Sequence, residues 1–163
     1  YCDKRQGAAM TIKELIEEIN IELELIETNL KEISSLKNDI ADREPSIRDK
    51  TAAAAFMAQF YGGIENILKR ISRFYNIPLP AGETWHIDLF RRFCNPPFKS
   101  LPLLFDESLS LSLASFRKFR HVVYHGYGFQ LDFRPDERRA VQYRQCLSAI
   151  QNKAVKLFAN IKN

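Results

Sequence analysis

The sequence predicts an all-α protein, an up-and-down bundle of four to five helices. Two long segments repeat apolar residues at spacings of three and four, which is typical of helices that bury one face. No segment alternates apolar and polar residues for long enough to predict a strand. The 163 residues, 45% hydrophobic and 27% charged, suit a single domain with a sizeable core.

The first predicted helix has a continuous apolar seam. Three further apolar residues, Leu15, Ile21 and Leu25, are expected to broaden it. The seam indicates an intramolecular core face, with a partner helix as the alternative. Between residues 11 and 37, seven acids stand against three bases, so this end is acidic. The seam consists of Ile12, Ile16, Ile19, Leu23, Ile26, Leu30 and Ile33.

The second helix is predicted from about Ser46 to Tyr75, with Pro45 in its first turn. The pair Gly62-Gly63 removes side-chain bulk, which predicts either the close approach of a neighbouring helix or a kink. Asn76 and the prolines and glycine that follow it end the helix. Its predicted inner face contains Ala53, Phe56, Met57, Phe60, Ile64, Ile67, Leu68, Ile71 and Phe74.

The remaining chain predicts a short helix with Trp85 and Phe90, then a proline-marked loop over residues 95–102. Asp106 is expected to cap a further helix that stops at Gly126 and Gly128. A last helix is predicted from Pro135 nearly to Ile161, with acidic residues favourable at its start.

Composition narrows the class of protein. Residues 1–9 are interpreted as a leader, an extension or a remnant outside the fold, and residues 10–163 as one domain. The three cysteines, Cys2, Cys94 and Cys146, form no metal-ligand pattern. Without a signal-like or membrane-spanning segment, the chain is predicted to be cytoplasmic with reduced thiols. The net charge of +4 and pI near 9.0 allow an anionic partner without requiring one.

The segment 119–127 is the candidate active site. It combines the fixed cation of Arg120 with two imidazoles, His121 and His125, and two phenols, Tyr124 and Tyr127. An arginine stabilises developing negative charge, and a histidine transfers protons near neutral pH. RNA supplies its own nucleophile in the 2′-hydroxyl, so this chemistry requires no metal. The other histidine, His86, is interpreted as a packing or surface residue.

The spacing of these residues leaves the geometry open. In a regular helix, Arg120 and His125 are separated by about 140° around the axis. Either the helix ends between them, or a second copy of the chain completes the site across a two-fold axis. Arg117, His121 and His125 are spaced by four and are expected to share a face. From Arg117 to Arg144, basic residues outnumber acids, which predicts a surface for a polyanion or a solvated helix face.

The pattern from Arg120 through His125 to Tyr127, Arg-x4-His-x-Tyr, resembles that of the HEPN superfamily, and specifically its HepT-like toxin branch. His121 fits a position at which that family often has Asn, Asp or His. The resemblance extends over residues 10–163 and implies a helical bundle with the motif at the end of a late helix. It also implies a homodimer in which two motifs meet in one cleft.

For function, the resemblance implies a toxin that acts as a metal-independent ribonuclease without a cofactor. Arg120 and His125 would be catalytic. Tyr127 would be the tyrosine to which an MNT nucleotidyltransferase antitoxin adds AMP, although packing on the bundle is the alternative for its ring. The expected target is cellular RNA, with tRNA favoured. The supporting or RNA-binding residues would be Arg117, Lys118, His121 and Tyr124.

A function of another class remains open. The same basic cleft would also suit a non-catalytic helical module that binds RNA, a nucleotide or a partner protein. His125→Ala separates the two hypotheses, because a nuclease loses cleavage and retains binding, whereas a pure binder cleaves in neither form.

Overall fold

The computed structural model describes residues 10–108, 110 and 111. This part of the chain forms three α-helices, α1 (Ile12–Asp39), α2 (Ile47–Phe74) and α3 (Trp85–Arg91). It contains an isolated bridge between Cys94 and Phe105 and no strand. The predicted all-α class is therefore confirmed. The helices predicted after Asp106 lie outside the described residues, apart from helical positions 107, 108, 110 and 111.

Both long helices begin with a capping box. In α1 the hydroxyl of Thr11 accepts the N–H of Glu14, and the Glu14 carboxylate accepts the N–H of Thr11 at 2.9 Å. In α2 the residues Ser46 and Asp49 make the same reciprocal pair. These bonds satisfy backbone donors that have no partner within the helix. Because Ser46 is the N-cap, the expectation that Pro45 occupies the first turn of α2 is wrong: Pro45 precedes the cap.

The N-terminus of α2 also carries an ion pair. Arg43 donates to both carboxylate oxygens of Asp49, at 2.6 and 3.1 Å. Hydrogen bonds from Arg43 and then from Ser46 lower the pKa of Asp49 well below its usual range. The carboxylate is thus ionised at neutral pH, where it caps the helix and interacts favourably with the helix dipole.

The helices α1 and α2 are antiparallel. Glu18 pairs with Arg70, whereas Ile26, two turns later in α1, lies against Gly63, two turns earlier in α2. The predicted seams meet between them. From α1, Leu15, Ile19, Leu23 and Ile26 are buried, and α2 contributes a larger set. The buried apolar residues of α2 are Ala53, Ala54, Met57, Ala58, Phe60, Tyr61, Ile64, Ile67, Leu68 and Ile71.

The width of the α1 stripe was predicted incorrectly. Leu15 is fully buried, but Ile21 and Leu25 are each 56% exposed. Both lie outside the buried stripe of α1. At the edges of α2, Phe56 and Phe74 are half-buried rather than central to the core. The three-and-four spacing therefore located the centre of each apolar face and misjudged its edges.

The short helix α3 and its following loop close one end of the described core. Leu89, Phe90 and Phe93 are buried, and the Phe90 ring stacks on Phe105 with 4.6 Å between centroids. The backbone carbonyl of Phe93 accepts the N–H groups of Leu104 and Phe105, at 3.0 and 3.1 Å. The loop after α3 is consequently held on the core by hydrogen bonds as well as by apolar burial.

Gly63 brings α1 and α2 into close contact. A Cβ atom at this position would lie 2.6 Å from Cγ1 of Ile26 and 2.9 Å from its Cδ1. Next to it, a Cβ at Gly62 would meet nothing within 4 Å. The helix runs through both glycines without interruption. Close approach, rather than a break in the helix, is therefore the reason for a glycine at Gly63.

We predict opposite effects for the two alanine substitutions. Gly62→Ala raises the free energy of unfolding by up to about 1 kcal/mol, because alanine favours the helix. Gly63→Ala lowers it by about 1–2 kcal/mol, because the clash with Ile26 exceeds that gain. Urea denaturation of both variants measures the difference. A Gly63→Ala protein as stable as Gly62→Ala would contradict the close-packing explanation.

Candidate functional site

The residues predicted to carry the chemistry lie outside the described residues. This holds for the catalytic pair Arg120 and His125 and for Tyr127. It holds equally for the supporting residues Arg117, Lys118, His121 and Tyr124. Their roles remain predictions. The described helices supply the scaffold that precedes this segment, together with three polar features that apolar periodicity did not predict.

The first feature is an ion-pair network between α1 and α2. Arg70 donates from Nη1 to Glu18 at 2.5 Å and from Nη2 to Glu22 at 2.7 Å. Glu22 is 6% exposed and also accepts Nδ2 of Asn66 at 3.4 Å. Burial of Arg70 disfavours its charge, but the hydrogen bonds that it donates to Glu22 and Glu18 outweigh this and raise its pKa. Arg70 therefore remains charged and links α2 to two turns of α1.

The second feature is a buried carboxylate paired with a histidine. Glu65 of α2 is 2% exposed, and its Oε1 lies 2.7 Å from Nδ1 of His86 in α3. The His86 ring lies against Trp85, and Nζ of Lys69 lies 4.5 Å from the centroid of the Trp85 ring. His86 is thus a packing residue whose Nδ1 contacts a buried carboxyl group. Sequence reasoning missed Glu65, because an acid within an apolar face gives no sign of the residue it contacts.

The third feature is an open groove of about 430 Å³ between α1 and α2. Gly62 and Gly63 contribute to its lining, and the Glu22 and Glu65 carboxylates belong to its polar part. The remaining lining residues are Leu25, Ile26, Asn29, Ala58, Gln59, Asn66 and Lys69. Both carboxylates already have basic partners, Arg70 and His86. The groove is therefore explained by the small residues of α2 and requires no ligand.

Residues 10–108, 110 and 111 contain neither a cluster of metal-ligating side chains nor a helix that could span a membrane. No group of three or more His, Cys, Asp or Glu side chains there is arranged to hold a metal ion. None of the described helices combines the length and the apolar character needed to cross a membrane. The one described cysteine, Cys94, is a free thiol that contacts the carbonyl of Phe90.

The described fold defines the chain as an all-α protein built on a long antiparallel helix pair. Residues 52–161 match the model of the family described as HepT-like protein. This match covers more than half of the chain, and the chain belongs to the HepT-like family. The matched range begins in α2 and includes the whole Arg120–Tyr127 segment. No curated protein and no solved structure matched the chain.

The ion-pair network generates a prediction about stability. Arg70→Met leaves two carboxylates, one of them buried, without their cation, and is expected to lower the free energy of unfolding by about 2 kcal/mol. Arg73→Met removes an exposed cation from the same helix and should change it by less than about 0.5 kcal/mol. Urea denaturation of both variants provides the comparison. Equal stabilities would show that Arg70 does not link the helices energetically.

Proposed function

We propose that this protein is the toxin of a toxin-antitoxin system and acts as a metal-independent ribonuclease through Arg120 and His125. The observation that carries the proposal is the HepT-like match, whose range includes both residues in the Arg-x4-His-x-Tyr pattern. Proteins of the HepT-like HEPN type are usually ribonucleases. The proposed substrate is cellular RNA, with tRNA favoured, and a toxin acting on that substrate would work in the cytoplasm.

The chemistry requires proton transfer and charge stabilisation. The 2′-hydroxyl of the substrate loses its proton to a base, and its oxygen attacks the adjacent phosphorus. The bond to the 5′-oxygen then breaks, and that oxygen takes up a proton, which leaves a 2′,3′-cyclic phosphate. We assign proton transfer to His125 and stabilisation of the charged phosphorane to Arg120. His121 is proposed to orient the site, and Arg117, Lys118 and Tyr124 to contact the RNA.

A two-fold homodimer would bring two copies of the motif into one cleft. The support for this proposal is the five-residue spacing, which places Arg120 and His125 on different faces of a regular helix. A symmetric arrangement allows the arginine and histidine of different copies to act on one phosphodiester. We further propose residues 10–163 as the domain that assembles in this way.

The first test is cleavage of total tRNA in buffer containing EDTA. Wild-type protein should produce fragments with cyclic phosphate ends, and His125→Ala should lower the rate by about 10²–10⁴-fold. Arg120→Ala should also lose activity, because it removes the cation that stabilises the developing charge. Arg48→Ala provides a matched control, since it removes an exposed arginine from the start of α2.

The outcome separates the two functional classes. Cleavage that persists in folded His125→Ala would exclude His125 as the proton-transfer residue. No cleavage by folded, unmodified wild-type protein, with binding retained, would favour the non-catalytic binding module. Circular dichroism confirms the fold of each variant. A strict monomer that still cleaved RNA would contradict the shared cleft.

Regulation is proposed at Tyr127. An MNT-type nucleotidyltransferase antitoxin would add AMP to its hydroxyl, and the bulky anion would block RNA and neutralise nearby arginines. Gly126 and Gly128 flank the tyrosine and leave it little steric cover. Incubation with the antitoxin and ATP should increase the intact mass by whole AMP units. Tyr127→Phe should abolish that increase, and a full adduct on this variant would place the modification elsewhere.

A further inference from the structure

A partly exposed aromatic ring lies close to two cations on the loop after α3. Phe98 is 38% exposed. Cζ of Arg92 lies 4.7 Å from the centre of its ring, and Nζ of Lys99 lies 5.1 Å from it. We call the surface formed by Phe98, Arg92 and Lys99 the Phe98 platform. It lies outside the Arg120–Tyr127 segment in the sequence and plays no part in the proposed chemistry.

The platform is fixed by backbone hydrogen bonds. The N–H of Phe98 donates to the carbonyl of Arg92 at 2.9 Å, and its carbonyl accepts the N–H of Leu101 at 3.1 Å. Nη1 of Arg92 donates to the carbonyl of Pro78 at 2.6 Å. Lys99 adopts a φ of 52°, in the left-handed region that non-glycine residues rarely occupy. The backbone at Phe98 and the Arg92 side chain are therefore held in place before any partner binds.

Buried side chains anchor the loop on the core. Phe93, Leu101 and Phe105 are each at most 3% exposed, and all three belong to the main core. The neighbouring apolar side chains of this loop are thus buried in the core, whereas Phe98 is partly exposed.

The local charge indicates an anionic partner. From Leu89 to Phe105 the sequence contains three bases, Arg91, Arg92 and Lys99, and no acid. Arg91 and Lys99 are exposed. A stretch with this positive charge attracts a polyanion and repels a basic partner.

We infer that the Phe98 platform binds single-stranded RNA outside the cleavage motif. A base would stack on the exposed part of the ring or on the Arg92 guanidinium, and the two cations would neutralise adjacent phosphates. The combination of a stacking surface with a basic track is typical of single-strand binding without sequence preference. This inference rests on the proposed function in that it takes RNA as the substrate.

A protein partner fits the platform less well. The centre of a protein interface is depleted in charge and requires a broad apolar area. Here one ring lies close to two cations, and the exposed apolar neighbour on the same loop is Leu103. A ring that serves only to cover the alkyl parts of Arg92 and Lys99 would give the same geometry without binding RNA. Substitution separates these possibilities.

The test measures binding of a fluorescein-labelled oligouridylate to the full chain carrying His125→Ala, which prevents cleavage during the measurement. Phe98→Ala should weaken binding about tenfold, because the stacked base loses its partner. Leu103→Ala removes an exposed apolar side chain from the same loop and should leave affinity unchanged. Phe98→Trp should restore or strengthen binding, because the larger ring also stacks.

The charged half of the platform is tested by salt dependence. Arg92→Gln with Lys99→Gln should reduce the slope of log affinity against log salt by up to roughly 1.4, since each of the two lost phosphate contacts contributes about 0.7 for a single strand. Lys13→Gln with Arg48→Gln removes the same two residue types from exposed positions elsewhere and should leave the slope unchanged. Thermal unfolding confirms that all variants remain folded.

The outcomes distinguish this inference from the proposed function. If Phe98→Ala binds RNA as tightly as Leu103→Ala, the platform has no role in RNA binding. If Phe98→Ala and Leu103→Ala bind RNA equally well while the wild-type protein cleaves tRNA, the inference fails and the proposed function stands. If binding depends on Phe98 but no His125-dependent cleavage occurs, the inference stands and the nuclease proposal fails.

Discussion

The described structure depends on how closely α1 and α2 approach each other. At Gly63 the side chain of Ile26 occupies the space that a Cβ atom would need, so the helix surfaces are in direct contact. Nearby, Arg70 connects two acids of α1 to α2. Apolar contact supplies non-directional attraction, whereas the ion pairs are directional. Together they fix one arrangement of the long helices, on which α3 and its loop then pack.

Much of this arrangement was predictable from the sequence, and the errors have physical causes. Apolar spacing located the centres of both helix faces, and turn residues located the end of α2. Spacing cannot show how wide a neighbour is, so the exposure of Ile21 and Leu25 was missed. Polar pairing between distant residues, as for Glu65 with His86, depends on tertiary contact and leaves no periodic signal. The motif at Arg120–Tyr127 was found because its residues are close together in the chain.

Charge is distributed unevenly along the sequence. The acidic exterior of α1 carries Glu17, Glu24, Glu27 and Glu32, and it would repel a polyanion. The loop after α3 and the Arg117–Arg144 segment are basic. Under the proposed function, an RNA strand would approach the loop after α3 more readily than the exposed face of α1. The charge asymmetry follows from the sequence independently of the family match.

The ion pairs of Arg70 with Glu18 and Glu22 also fix the register of the helix pair. Sliding α1 by one residue would move each carboxylate by about 1.5 Å and turn it by about 100° around the axis. Both contacts, and the fit of Ile26 to Gly63, would be lost together. Insertions are consequently expected to be tolerated in the exposed connector of residues 41–44, where only the exposed Arg43–Asp49 pair would be affected, and to be excluded from the helices between Glu18 and Arg70. The connector can vary in length while the paired helices keep their alignment.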